Sequence, residues 1–162
     1  MTNVKLVKLK VPLNPKEWHG SEAELLWAEP LKDSHDGFTL RIKNSPGYAF
    51  GLSYLDVVRA VPSADGSYEF KEVIQRGGHS TYMLLVPIER PHFEEFWKRL
   101  NDLGCTYESS RVEGAKTLFS VDIPGDTDIY KVYDVLKEGE EKRIWDFQEG
   151  HVGHQLRGTP SA

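Results

Sequence analysis

Arg76-Gly77-Gly78-His79-Ser80-Thr81-Tyr82 sets a guanidinium, an imidazole and two hydroxyls around a pair of glycines. An imidazole takes or gives a proton near neutrality, and a guanidinium holds an anion through a fixed fork of donors. His79 as general base and Arg76 as anion clamp are the parts of a metal-free site acting on RNA or a nucleotide. A Ser80 nucleophile is disfavoured, because neighbours on a strand point to opposite faces and His79 would look away from it. Thr81 shares a face with His79, yet the chain offers it neither a nucleophile elbow nor an N-terminal amine. The plainer reading is a histidine hydrogen-bonded to backbone beside a hairpin.

Glu149-Gly150-His151-Val152-Gly153-His154 is the other cluster of metal-ligating types. His151 and His154 share a metal only if a third ligand arrives from elsewhere, such as Glu149, His79 or Cys105. The flanking glycines fit a loop, and the helical arrangement of histidines four apart with an adjacent glutamate is absent. These imidazoles are therefore expected in structural hydrogen bonds or on a contact surface, with no metal and no cofactor. Cys105 follows a helix stop and reads as a small buried hydrophobe. Asp56 is explained by a side-chain turn after Ser53, and Asp122 by ordinary strand alternation.

These residues need elements to hold them. Val4–Val11 reads as a frayed or bulged strand. Ala23–Trp27, Phe38–Ile42, Tyr48–Leu52, Val57–Val61 and Tyr68–Gln75 follow as short strands, with turns at Pro30 to Gly37, Asn44 to Gly47 and Pro62 to Gly66. Such spacing indicates a small barrel or a curved antiparallel sheet. Gly77-Gly78 reads as a hairpin loop. Beyond it, Tyr82–Ile88 is almost continuously apolar, as a strand covered on both faces is. Phe93, Phe96, Trp97, Leu100 and Leu103 then recur at helical spacing up to Gly104. Leu118–Ile123 is a strand, and Asp126-Thr127-Asp128 offers caps for a helix carrying Ile129, Val132, Tyr133 and Leu136, ended by Gly139. Ile144–Phe147 closes the pattern as a last strand or an aromatic hook. The fold class is thus α+β: a β-rich half over 1–78, a β-α-β-α ferredoxin-like half over 79–156, and a flexible tail over 157–162.

Composition narrows the function. With 162 residues, 39% hydrophobic and 28% charged, the chain is expected to fold as one domain or two small ones. A net charge of -5 argues against general nucleic-acid binding, which needs a basic surface. No segment has the length and apolarity to span a bilayer, and the start lacks a secretory pattern, so no membrane association and a cytoplasmic location are expected. One cysteine excludes an intrachain disulfide.

Asn44-Ser45-Pro46, Tyr48-Ala49-Phe50-Gly51, Asp56-Val57-Val58-Arg59-Ala60, Gly78-His79-Ser80-Thr81-Tyr82, Gly104-Cys105-Thr106-Tyr107 and Trp145-Asp146-Phe147-Gln148-Glu149-Gly150-His151 resemble the bacterial domain of unknown function 4265 family. The likeness runs from Trp18 to Leu156. It implies a compact bacterial cytoplasmic domain and carries no activity. Where that family often ends in Cys-Gly-His, this chain has Val152-Gly153-His154, which weakens any thiol-dependent role there. The reading with the fewest assumptions is a non-enzymatic protein-binding module, an immunity or antitoxin-like protein whose acidic charge speeds encounter with a basic toxin. Its contacts would include Tyr82, Trp145, Glu149, His151 and His154. The alternatives are the enzyme built on His79 and Arg76, and a small-ligand-sensing dimer.

Overall fold

The computed structural model describes residues 5–34, 37–112, 114 and 116–157. Five strands form a closed barrel: β1 (Val7–Pro12), β2 (Ala23–Ser34), β3 (Gly37–Ile42), β4 (Val57–Pro62) and β5 (Tyr68–Gln75). Each pairs antiparallel with the next, and β1 closes on β5 in parallel through only Leu9↔Tyr68 and Lys10↔Glu69. Alternation turns Leu9, Val11, Leu26, Ala28, Leu40, Ile42, Val58 and Ala60 into one buried cluster. This core is the barrel interior.

The remainder is β6 (Ser80–Pro87), α1 (Phe93–Asp102), β7 (Thr106–Val112), β8 (Lys116–Ile123), α2 (Ile129–Glu141) and β9 (Asp146–His151). The four strands make a second sheet in the order β7-β8-β6-β9, antiparallel throughout. Leu84, Val86, Phe119, Val121 and Ile123 pack with Phe93, Phe96, Leu100, Val132 and Leu136, so both helices cover one face of this sheet. The opposite face presents Thr81, Glu108, Ser120 and Asp122, and the barrel lies against it. Ser53 in the barrel's loop bonds Thr81, Oγ to Oγ1, at 2.7 Å, and the Ser45 amide donates to Glu108 Oε2 at 2.5 Å. A mostly apolar face thus meets the helices, and a mixed one, which also holds Met83 and Leu118, meets the barrel.

The mixed α+β class stands, and the first half is a closed barrel. Local expectations change in five places. Tyr48–Leu52 is loop rather than strand, because the Glu24 carboxylate takes the amides of Gly47, Tyr48 and Ala49 at 2.7, 3.0 and 2.9 Å. The strand at Ala23 does not stop at Pro30; it continues to Ser34 with a shift in register between Pro30 and Lys32, since a bulge accommodates a residue without an N–H. Gly77-Gly78 is no hairpin, for β5 and β6 belong to different sheets and the glycines bridge them. A Cβ on Gly77 would sit 2.7 Å from the Leu55 carbonyl, a close approach that only glycine allows. Gly139 does not end α2; it lies inside the helix under Trp145, whose Nε1–H donates to Leu136 O at 2.9 Å. Finally, the second half is β-α-β-β-α-β rather than β-α-β-α. The missed β7 reads TYESSRV, too polar to register as a strand because it is an exposed edge. Of the tail placed at 157–162, residues 158–162 lie outside the described ones. Arg157 is tied to Tyr130, whose hydroxyl accepts its amide at 2.6 Å.

Candidate functional site at the barrel–sheet seam

The two glycines that lead from barrel to sheet set Arg76 on one side of the seam and His79 on the other, and the two have different partners. Arg76 Nη1 donates to Asp56 Oδ2 at 3.0 Å and to Gly51 O at 2.6 Å. Asp56 is 0% exposed and also accepts the Ser53 and Gly77 amides, each at 2.9 Å. The guanidinium therefore neutralises a buried carboxylate through Nη1, which makes Arg76 part of the junction itself. The Asp56 side chain reaches both sides of the junction, far more than a local turn.

His79 turns to β8. Its Nδ1 is 2.9 and 3.0 Å from the two oxygens of Asp122, and the Tyr54 ring meets it edge-on with centroids 5.3 Å apart. The His79 and Asp122 side chains are 14% and 10% exposed. Burial raises the Asp122 carboxyl above its ordinary value, and the imidazole opposes that rise. So Asp122 does alternate with the core residues Val121 and Ile123, but onto a buried face rather than a half-exposed one, and the partner of His79 is a carboxylate rather than backbone.

Asp122 and Tyr54, with Lys43, Thr106 and Glu108, line a cleft of about 370 Å³ between barrel and sheet. A second cleft of about 210 Å³ shares Asn44, Ser45 and Glu108 with it and continues past Ser109 and Ser110 to Glu24 and Ser120. The two share a wall at β7 and form one groove between sheet and barrel, lined by polar and apolar groups alike. His79 stands behind Asp122 and Tyr54, and neither it nor Arg76 lines this groove.

The C-terminal histidines are placed apart. His154 Nε2 faces Pro124 O at 2.8 Å, an atom that only accepts, so Nε2 carries the proton and Nδ1 accepts from the Ser80 hydroxyl at 2.6 Å. Ser80 Oγ in turn accepts the Gly153 and His154 amides at 2.9 and 3.3 Å. This buried serine is a pin holding the chain after β9, with no lone pair left for attack. Both nitrogens of His154 are thus engaged within the chain. His151 Nε2 is buried with no hydrogen-bond partner. Burial, helped by Arg76 and resisted by Asp56 and Glu149, lowers its pKa from 6.5. Among the described residues, no three His, Cys, Asp or Glu side chains converge as metal ligands. Cys105 lies in the core on the helix side, its thiol pushed up to about 12 chiefly by burial.

Tyr82 and Trp145 are corrections to the expected contact surface: at 4% and 2% exposed, both belong to the helix-side core. Burial holds the Tyr82 hydroxyl up at about 12. Glu149 is exposed on β9. Sequence reasoning missed Glu24, Lys43, Tyr54 and Glu108. The only available signal was a polar residue at alternate positions beside apolar ones, which marks a face without saying what covers it.

Comparison with known proteins gives kinship and fold. No curated protein matches the chain. A solved structure described as a hypothetical protein from Neisseria gonorrhoeae is 21% identical, with a TM-score of 0.71, covering 95% of this chain and all of that one. At this identity the likeness concerns the fold alone. No helix among the described residues is long and apolar enough to cross a membrane. The family model described as domain of unknown function (DUF4265) matches residues 24–147, which include most of the barrel, the seam and nearly all of the second sheet. The chain belongs to this family.

Proposed function

We propose that the protein is a non-enzymatic, cytoplasmic protein-binding module of the immunity or antitoxin kind, and that the groove along the seam is part of its contact surface. The observation that carries this reading is how the reactive side chains are spent. Arg76 is held by Asp56, Ser80 by His154 and Thr81 by Ser53, while His79 sits behind the groove rather than in it. What faces outward is recognition chemistry: an open groove of mixed polar and apolar lining, and exposed Trp18, Leu25, Trp27 and Phe50 elsewhere on the barrel side. The net charge of -5 favours a basic partner. We read the second half as a ferredoxin-like layer, on the strength of its β-α-β-β-α-β order and the strand sequence β7-β8-β6-β9.

Tagged protein recovered from the bacterium that makes it should retain a basic protein in stoichiometric amount, and Glu108→Lys in the groove should release it. Catalytic turnover by the purified protein, lost on His79→Ala, would overturn the reading.

The paired His79 and Asp122 favour a second reading, an acid–base site for RNA or a nucleotide in which Asp122 faces the ligand and His79 holds the carboxylate. Its mark would be a bound nucleotide in the purified protein that disappears in the Asp122→Asn variant.

A further inference from the structure

The barrel is least complete where β1 meets β5. Their parallel ladder holds only Leu9↔Tyr68 and Lys10↔Glu69, and Pro12 has no N–H with which to extend it. A cleft of about 250 Å³ opens beside the next residues of the two strands, Val11 and Phe70, and the loop from Tyr48 to Leu52 completes its wall. Val11, Ala49 and Leu52 belong to the buried cluster inside the barrel, and Phe70 packs against that cluster. The cleft is therefore a mouth onto the barrel's core.

Both rims are fixed by hydrogen bonds. The Tyr48 and Ala49 amides donate to Glu24 Oε1 at 3.0 and 2.9 Å, and the Gly51 amide to Gly150 O at 2.9 Å. On the other rim the Glu17 amide donates to Asn14 O at 3.1 Å, and the Gly20 amide to Glu17 O at 3.0 Å. His19 lies behind Glu17 with its side chain 1% exposed. Its Nδ1 accepts the Ser21 amide at 2.9 Å, so the ring proton is on Nε2. That nitrogen has no hydrogen-bond partner and stands 3.4 Å from Glu17 Oε2. A neutral ring there leaves the Glu17 charge uncancelled.

Among the described residues, Glu17 is the one charged side chain lining the mouth, and Tyr48, Phe50 and Phe70 line it with aromatic rings. The carboxylates of the seam groove are engaged within the chain: Glu24 with three amides, Glu108 with the Ser45 amide and Asp122 with His79. Glu17 has no such bond to its carboxylate, which is 42% exposed. Aromatic rings attract a cation, a carboxylate pairs with it, and an apolar floor covers the methylenes that carry it. An anion would be repelled by Glu17, and a purely apolar group would desolvate that carboxylate without pairing it. Tyr48 also lines the seam groove, so a partner seated on the groove reaches the mouth.

We infer that the mouth of the barrel takes a lysine or arginine side chain of the partner protein, with the cationic head at Glu17 and the stem on Val11, Leu52 and Phe70. The inference rests on the protein-binding reading and names the residue type that the partner inserts.

The test titrates the whole protein with the methylamides of N-acetyl-lysine and N-acetyl-arginine, and with neutral N-acetyl-norleucine methylamide, following the backbone amide signals of Leu52 and Phe70. One of the cationic probes should bind about fivefold or more tighter than the neutral one. Glu17→Gln, which keeps the size of the side chain, should abolish that preference, and Phe50→Leu, at an exposed position, should reduce it. Equal binding of charged and neutral probes, a preference untouched by Glu17→Gln, or no shift of either signal overturns the inference. Capture of a native basic protein equally by wild type and Glu17→Gln also overturns it, and leaves the protein-binding reading standing. Cation-selective probe binding with no protein captured assigns the mouth to a free amine and overturns both the inserted side chain and that reading.

Discussion

Asp56 shows what a single buried carboxylate does at a junction. It accepts the Ser53 amide from the barrel's loop, the Gly77 amide from the bridge between sheets and the Arg76 guanidinium, all from a site closed to water. Removing it orphans two amides and leaves a cation without its counter-ion. Asp56→Ala should therefore cost about 3 kcal/mol or more in urea unfolding, whereas Arg76→Ala, at a half-exposed position, should cost clearly less. His151 supplies a pH signature. Its Nε2 is buried and its pKa is lowered below 6.5, so the unfolded chain binds that proton more readily than the folded one. The folded state then loses stability as pH falls through 6.5 toward the lower folded value, and holds it in full above 6.5. In denaturation midpoints measured across this window, His151→Gln should flatten the decline on acidification. A decline unchanged in the variant would assign it to other groups.

At the scale of the element, the loop between β3 and β4 is built by one side chain of another strand. Glu24 on β2 gathers the amides of Gly47, Tyr48 and Ala49, and a Cβ on Gly47 would press within 3.1 Å of Leu118 and Ser120. The loop is thereby held flat against the second sheet and forms one wall of the groove. Glu24→Ala leaves three amides without an acceptor in a half-buried place. It should lower stability by about 2 kcal/mol and speed amide exchange at Gly47 to Ala49, with little change at β6. Glu24→Gln, which keeps an oxygen acceptor, should recover part of both effects. In sequence this loop reads as a strand because Tyr48-Ala49-Phe50-Gly51-Leu52 alternates in the way a strand does, and the competing bonds come from a residue more than twenty positions away.

At the scale of the molecule, the two apolar clusters contain different residues, and the seam between barrel and sheet is crossed by polar pairs beside a few buried apolar side chains such as Leu118. The Ser53–Thr81 hydroxyl pair is wholly buried and crosses the seam. A double-mutant cycle with Ser53→Ala and Thr81→Val should return a coupling energy of about 1 kcal/mol in unfolding, and a value near zero would mean that the halves are held by their other contacts. By itself the sequence determined the α+β class, the run of short strands before Gly77, the two helices and most of the inward-facing side chains, because periodicity and turn residues are local properties of the chain. It also determined the family. Tertiary structure alone decided that β5 and β6 part into different sheets, that the polar TYESSRV stretch is a strand, and which carboxylate each of Arg76 and His79 meets. Those outcomes depend on pairing between residues distant in sequence, 20 positions for Arg76 and Asp56 and 43 for His79 and Asp122, and no local pattern records which of several acids a folded chain will bring within 3 Å.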